Sequence, residues 1–355
     1  MEITLAQKKI GNNYPTFIIG EMAWSHDGSV ENAKKIIDAV ADGGGDAISM
    51  HITSLENYMT KDYKAKSGQT VSTGKTGPSI YEYLEKINLR GDDWKELFTY
   101  AKNRKLLNCV MCNDMQSVKF SDKFNIDMHV IASSCFEEQD MIVEIAKRKK
   151  PIILRIGGST LEEMEEVIRL IKDTGNNQII LLHGIQAYPT TIADTNIRLI
   201  HALKQRFSLP VGIADHVDAD LDFALITPIL AVALGANAIE KHITYDRGKK
   251  GEDFEAALNP KEFKTLVEYV RMAESALGSS IVKPLSPAEI KYREVSRKKT
   301  VARIPIKAKE VIKKEMIVFK RSDIGISPKE SKRLIGQMAK RDIKKDEGIT
   351  WDAVM

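Results

Sequence analysis

The sequence predicts a (β/α)₈ barrel, an α/β fold of the TIM type, followed by a small β-rich module. Three observations lead there. Eight short apolar runs alternate with amphipathic helical patterns between Thr16 and Leu277. No glycine-rich dinucleotide fingerprint follows the first run, which sets aside a doubly wound open sheet. Histidines recur at or just beyond the ends of the apolar runs, the place where barrel enzymes keep their chemistry.

The predicted strands are Thr16–Gly20, Ala47–Ile52, Asn108–Met111, Met128–Ala132, Ile152–Ile156, Gln178–Leu182, Val211–Ala214 and Asn237–Lys241. Helices are expected at Val30–Asp42, Asp93–Lys105, Gln139–Lys147, Leu161–Asp173, Thr195–Arg206, Leu221–Leu234 and Lys261–Leu277. Thr160 with Glu163 forms a capping box ahead of one helix, and Asn259-Pro260 supplies a cap and a first-turn proline for another. The long polar stretch from Ser54 to Asn88 reads as an insert after the second strand, of the length used for lids and binding loops. Its GKTG lacks the frame of a phosphate loop. The barrel is placed at residues 1–278. Residues 279–299 read as a linker despite a capping box at Ser286 and Glu289, and 300–355 as the β-rich module.

Composition describes an ordinary globular chain, with 43% hydrophobic and 29% charged residues. No apolar run reaches the roughly 20 residues of a membrane span, and the start lacks a secretory apolar region, so a cytoplasmic protein is expected. Three cysteines argue against a disulfide framework. Cys109 and Cys112 fall on one strand, three apart and therefore on opposite faces, as buried thiols would. The net charge of +4 divides unevenly: 20 basic against 10 acidic residues from Lys283 onward leave 33 against 39 before it. The basic end carries no nucleic-acid motif or aromatic ladder, so a solvated face or an anionic substrate is the expected meaning.

The chemistry concentrates between Pro210 and Thr244. PVGIADH and AIEKHIT each end a strand in a histidine with acidic company, Asp215 beside His216 and Glu240 two before His242. On parallel neighbours, His216 and His242 would emerge side by side as ligands of a divalent metal, with Asp215 and Glu240 placed for acid–base or supporting work. Of the 7 histidines, only His201 falls inside a predicted helix; His26, His51, His129, His183, His216 and His242 are expected to converge on one rim.

These motifs resemble the sialic acid synthase family, which makes nine-carbon keto sugar acids. FIIGEMAWSHDGS is similar to the family's FIIAEAGxNHxGS, LLHGIQAYPT to LLHCxxxYPT, GIADH to G(L/Y)SDH, and AIEKHIT to xxEKHxT. The stretch from Phe319 onward resembles the antifreeze-like (SAF) domain that closes these enzymes. The resemblance implies condensation of phosphoenolpyruvate with an open-chain N-acylhexosamine, assisted by manganese or magnesium on His216 and His242. By position, Glu21, Tyr188 and Asp253 look like the sugar contacts. Arg321 looks like the arginine that the terminal domain extends into the other subunit's barrel, which implies a domain-swapped homodimer.

The phosphate side departs from the family. Ser49 and His51 stand where a lysine and a glutamine are usual, and His129 stands where a second lysine is usual on the fourth strand. Arg155 opens a rewritten fifth-strand end, and Gln186 replaces an asparagine. Two outcomes follow. Arg155, His51 and His129 rebuild the phosphate pocket, or the enzyme is a metal-dependent aldolase or lyase of a related acid without phosphoenolpyruvate.

Overall fold

The computed structural model describes residues 2–6, 8–63, 80–279 and 281–355. It divides into two compact units, Met1–Gly278 and Ser279–Met355.

The first unit opens with a hairpin, β1 (Ile3–Leu5) and β2 (Lys8–Ile10). Eight parallel strands follow: β3 (Phe17–Glu21), β4 (Ala47–Ile52), β5 (Leu107–Cys112), β6 (Met128–Ala132), β7 (Ile152–Arg155), β8 (Ile179–His183), β9 (Val211–Asp215) and β10 (Ala238–His242). They close into a barrel in chain order, with β10 pairing back onto β3. This is the TIM barrel expected from the alternating pattern. The hairpin was not foreseen, because its two strands are only three residues each. It has a clear task. Ile3, Leu5 and Ile10 join Phe17, Ala47 and Leu107 in one buried cluster, so the hairpin closes the end where the strands begin.

Side-chain alternation along each strand divides the core in two. Inward residues such as Ile19, Cys109, Met128, Val130, Ile153, Ile180, Leu182 and Ala214 fill the barrel. Outward ones such as Ile18, Ile48, Val110, Ile131, Leu154, Leu181 and Ile213 pack against the surrounding helices. Cys109 faces in and Cys112 faces out, so the CxxC spacing brings no shared ligand pair. Helix starts follow the local chemistry. Thr160 Oγ1 accepts from the Glu163 amide at 3.3 Å, while the Glu163 carboxylate accepts from the Thr160 amide at 2.7 Å. At the ends of β7 and β8, a Cβ on Gly157 would run into the Gly184 carbonyl, and one on Gly184 into that of Ala214. Glycine there lets neighbouring strands stay close where the barrel opens.

Within the insert, Leu55–Tyr58 and Ile80–Ile87 are helices packed through Leu55, Tyr81, Leu84 and Ile87. Residues 64–79, including GKTG, lie outside the described residues. No helix among the described residues is long and apolar enough to cross a membrane.

The second unit starts with the stretch expected to be a linker, yet Pro287–Ser296 is helical. The capping box at Ser286 and Glu289 accounts for it. The remainder pairs β11 (Lys298–Ala302) with β12 (Ile317–Arg321) as an antiparallel sheet. Isolated bridges such as Ile306 with Ile343 enclose a small core of Ala302, Ile312, Leu334 and Ile349.

Candidate active site

The barrel interior is apolar until the strand ends, where its inward positions turn polar. Glu21 on β3, Ser49 and His51 on β4, Arg155 on β7 and Glu240 and His242 on β10 all share the parity of the inward residues. His216, one residue past β9, continues that parity from Ala214.

One half of this layer is bound up in itself. Arg155 Nε lies 2.8 Å from Glu240 Oε1, and Arg155 Nη2 donates to Glu21 Oε2. Glu21 Oε1 also accepts from the Ala23 amide at 2.7 Å and stands 3.2 Å from His51 Nε2. Burial would raise the Glu21 carboxyl, but Arg155 with His51 and His242 holds it well below the usual range. Glu240 goes the other way: burial pushes it up to about 7 against the pull of Arg155. Burial also works against a charged Arg155, and the two carboxylates more than offset it. Trp24 packs edge-on to His51 at 5.3 Å, with its indole Nε1 buried and lacking a hydrogen-bond partner. The Ser49 hydroxyl is buried without a partner too.

The other half is open-handed. The His216 and His242 rings lie 5.1 Å apart, with the Tyr188 ring 4.5 and 5.2 Å from them. His216 Nδ1 is 2.8 Å from the Ile185 carbonyl, which can only accept, so Nδ1 carries the hydrogen and Nε2 keeps its lone pair. That Nε2 and both His242 nitrogens are buried without hydrogen-bond partners. Burial lowers His216 to about 3, and burial with His216 nearby takes His242 well below its ordinary value. Both rings are therefore neutral at pH 7, the state a metal ligand requires. Asp253 Oδ2 sits 3.9 Å from His242 Nδ1, its backbone at φ 55° in the left-handed region. Burial, then Glu252 and Glu21, raises its carboxyl to about 8. The Tyr188 hydroxyl donates to Gln186 Oε1 at 2.6 Å. Burial, then Asp253, raises the Tyr188 phenol.

The unpartnered imidazole nitrogens fit a divalent metal. Among the described residues no three His, Cys, Asp or Glu side chains converge on one point. The protein's share of such a site is therefore the two imidazoles, with positions left for water and substrate oxygens.

Glu21, His51, Arg155, Gln186, Tyr188, His216, Glu240, His242 and Asp253 thus gather in or beside one cluster. Two expected members do not. His129 lies between Met128 and Val130, both of which face in, so it faces the helices. There burial and the nearby Arg148 and Lys150 lower it to about 4. Asp215 lies between inward Ala214 and His216 and so faces out like Ile213, one step out of phase with the site, and bonds Lys241 at 2.6 Å on the outer side. It is not available as an acid or base at the mouth. The six-histidine rim also shrinks. His183 faces out and donates to the Thr195 carbonyl at 2.9 Å, and His26 packs against Trp94 of the outer core. Arg321 ends β12 with its side chain exposed.

Sequence reasoning missed Trp24 and Lys241. Strand parity could have found Lys241, since EKH puts the lysine on the opposite face from both its neighbours.

The NeuB family model matches residues 36–282, and the SAF domain model matches 300–355. Pseudaminic acid synthase of Campylobacter jejuni is 32% identical over 343 residues, covering 95% of this chain and 96% of the relative. The N,N'-diacetyllegionaminic acid synthase of Campylobacter jejuni is 31% identical over 336 residues, covering 94% and 98%. Among solved structures, the N-acetylneuraminic acid synthetase of Leptospira borgpetersenii in complex with citrate superposes with a TM-score of 0.70 at 27% identity. It covers 83% of this chain and 97% of its own.

Proposed function

Because this chain belongs to the NeuB family and ends in a SAF domain, we propose that it is a sugar-acid synthase joining phosphoenolpyruvate to the aldehyde of an open-chain N-acylhexosamine. The products would be a nine-carbon keto sugar acid and phosphate. The observation that carries the reading is the buried pair His216 and His242, whose free nitrogens face Tyr188 and Asp253 at the barrel mouth.

A manganese or magnesium ion on His216 and His242 would supply Lewis acidity toward the sugar aldehyde. Tyr188 forms a wall for the sugar and fixes Gln186 through its hydroxyl. Asp253, with a carboxyl near 8, is a donor at neutral pH to a sugar oxygen. Glu240, near 7, is matched to moving a proton in either direction. In the reaction the alkene carbon of phosphoenolpyruvate bonds to the aldehyde carbon. Water adds at C2, and the C–O bond to phosphate breaks. Glu240 would protonate the new alkoxide and take the proton from the incoming water. Arg155 orients Glu240 and Glu21 together. Arg321 is proposed to enter the barrel mouth of a second subunit; Arg321→Ala mixed with His216→Ala should then regain activity that neither has alone.

A second reading has its own observation. Arg155 is already shared by two carboxylates, Ser49 and His51 replace the usual lysine and glutamine, and His129 is turned away. A charge-assisted contact to phosphate is worth about 1.5–3 kcal/mol, so these positions favour a phosphate-free donor. The enzyme would then be a metal-dependent aldolase or lyase of a related keto acid. One experiment decides: protein, manganese, a panel of N-acylhexosamines and either phosphoenolpyruvate or pyruvate. Phosphate release with phosphoenolpyruvate supports the first reading. Product from pyruvate without phosphate release supports the second, and silence with both, manganese being bound, rejects the pair.

A further inference from the structure

Lys241 and Asp215 are register partners on adjacent strands, and both side chains leave the barrel on its outer face. Their ion pair at 2.6 Å is almost fully buried, at 0% and 1% exposure. Lys241 Nζ also donates to the Val217 carbonyl at 3.3 Å. The ammonium therefore touches the residues on both sides of His216. Lys241 is itself the residue immediately before His242. No other described contact ties the two histidine-bearing strand ends through a charged pair at this level.

We propose that Lys241 and Asp215 are positioning residues that set the separation and facing of His216 and His242, and hence the affinity of that pair for a divalent cation. This rests on the reading of those histidines as metal ligands. Physical reasoning favours it over simple structural support. A buried ion pair is a poor source of stability, and a well-packed apolar pair of similar volume does as well or better. What an apolar pair lacks is direction. The ammonium of Lys241 has hydrogen-bond donors aimed at one carboxylate and one carbonyl, fixing the β9 end against β10 along two lines. Groups behind metal ligands commonly change affinity 10- to 100-fold when lost.

The pair is neutral as a whole, so replacing both members leaves the net charge around the histidines unchanged and isolates geometry from electrostatics. The test is calorimetric titration of the full chain with Mn²⁺, alongside thermal melting without metal, for Asp215→Leu/Lys241→Met. The expected result is a melting midpoint close to that of the unaltered protein and a manganese Kd raised about tenfold or more. The charge-exchanged variant Asp215→Lys/Lys241→Asp keeps a directed pair and should recover most of the affinity. If the apolar variant does not fold, this second variant decides, with weak manganese binding in a folded protein counting against the inference. Unchanged Mn²⁺ affinity in the folded apolar variant would overturn it and leave the histidine reading standing. Absence of Mn²⁺ binding by the unaltered chain would overturn both.

Discussion

The two halves of the barrel mouth are built from similar residues and left in opposite states. In one half, Glu21 of β3, Arg155 of β7 and Glu240 of β10 answer one another, and the guanidinium is committed to two carboxylates. On the β9 and β10 side, His216 and His242 keep buried nitrogens without partners, flanked by Tyr188. Buried polar groups left unmade are costly unless something else completes them. The contrast is one of charge: the arginine side holds its charged groups in ion pairs, although Ser49, His51 and Trp24 beside them keep unpartnered buried atoms, while the imidazole side keeps its ring nitrogens without hydrogen-bond partners.

The hardest blow to that contrast falls on the open side. His216→Ala or His242→Ala should lower kcat/KM for product formation by roughly 10³ or more, since an electrophilic metal supplies several kcal/mol to such reactions. Retained turnover in either variant would erase the distinction. On the closed side, Arg155→Met should act on stability first. It strands two buried carboxylates at about 3–5 kcal/mol, lowering the melting midpoint by roughly 10 °C. Adding Glu21→Gln and Glu240→Gln should restore most of that loss, because no unpaired charge remains. A midpoint that stays low in the triple variant would mean the side chains matter through shape.

His129 provides a control outside both halves. Its folded pKa near 4 lies below the ordinary 6.5, so the unfolded chain binds more protons as the solution is acidified. Stability therefore falls as pH drops from about 6.5 toward 4, by roughly 1–2 kcal/mol between pH 6.5 and 5 from this residue. His129→Gln should make denaturant-measured stability less steep over that window, the remaining slope coming from other buried histidines such as His216 and His242, and leave activity alone. A large activity loss would return His129 to the site. The mildest change is Tyr188→Phe, expected to raise the sugar KM about tenfold or less, the scale of one hydrogen bond, with kcat little altered.

Much of this was legible in the sequence, and what was not fails for identifiable reasons. The apolar runs located all eight barrel strands, because buried parallel strands read as continuous hydrophobic segments. His216, Glu240 and His242 come together because they share one parity on neighbouring strands. Proximity to a strand end misled elsewhere. His183 and Asp215 close β8 and β9 while His129 lies near the start of β6, and a single residue step turns each toward the helices. Counting from the inward residue, rather than from the end of the run, would have separated them. The pairing of Arg155 with Glu21 and Glu240 joins three strands far apart in sequence, a long-range contact no local pattern displays. The N-terminal hairpin was too short to register against its polar surroundings.

The most direct measurement is calorimetric titration of Mn²⁺ into the full chain and into His216→Ala and His242→Ala. Filled by two unspent imidazoles, the unaltered protein should take up one manganese per chain, and each variant should lose that binding while melting as a folded protein. Equal uptake by all three, or none by the unaltered protein at millimolar manganese, would contradict the assignment of the open half of the mouth as a metal site.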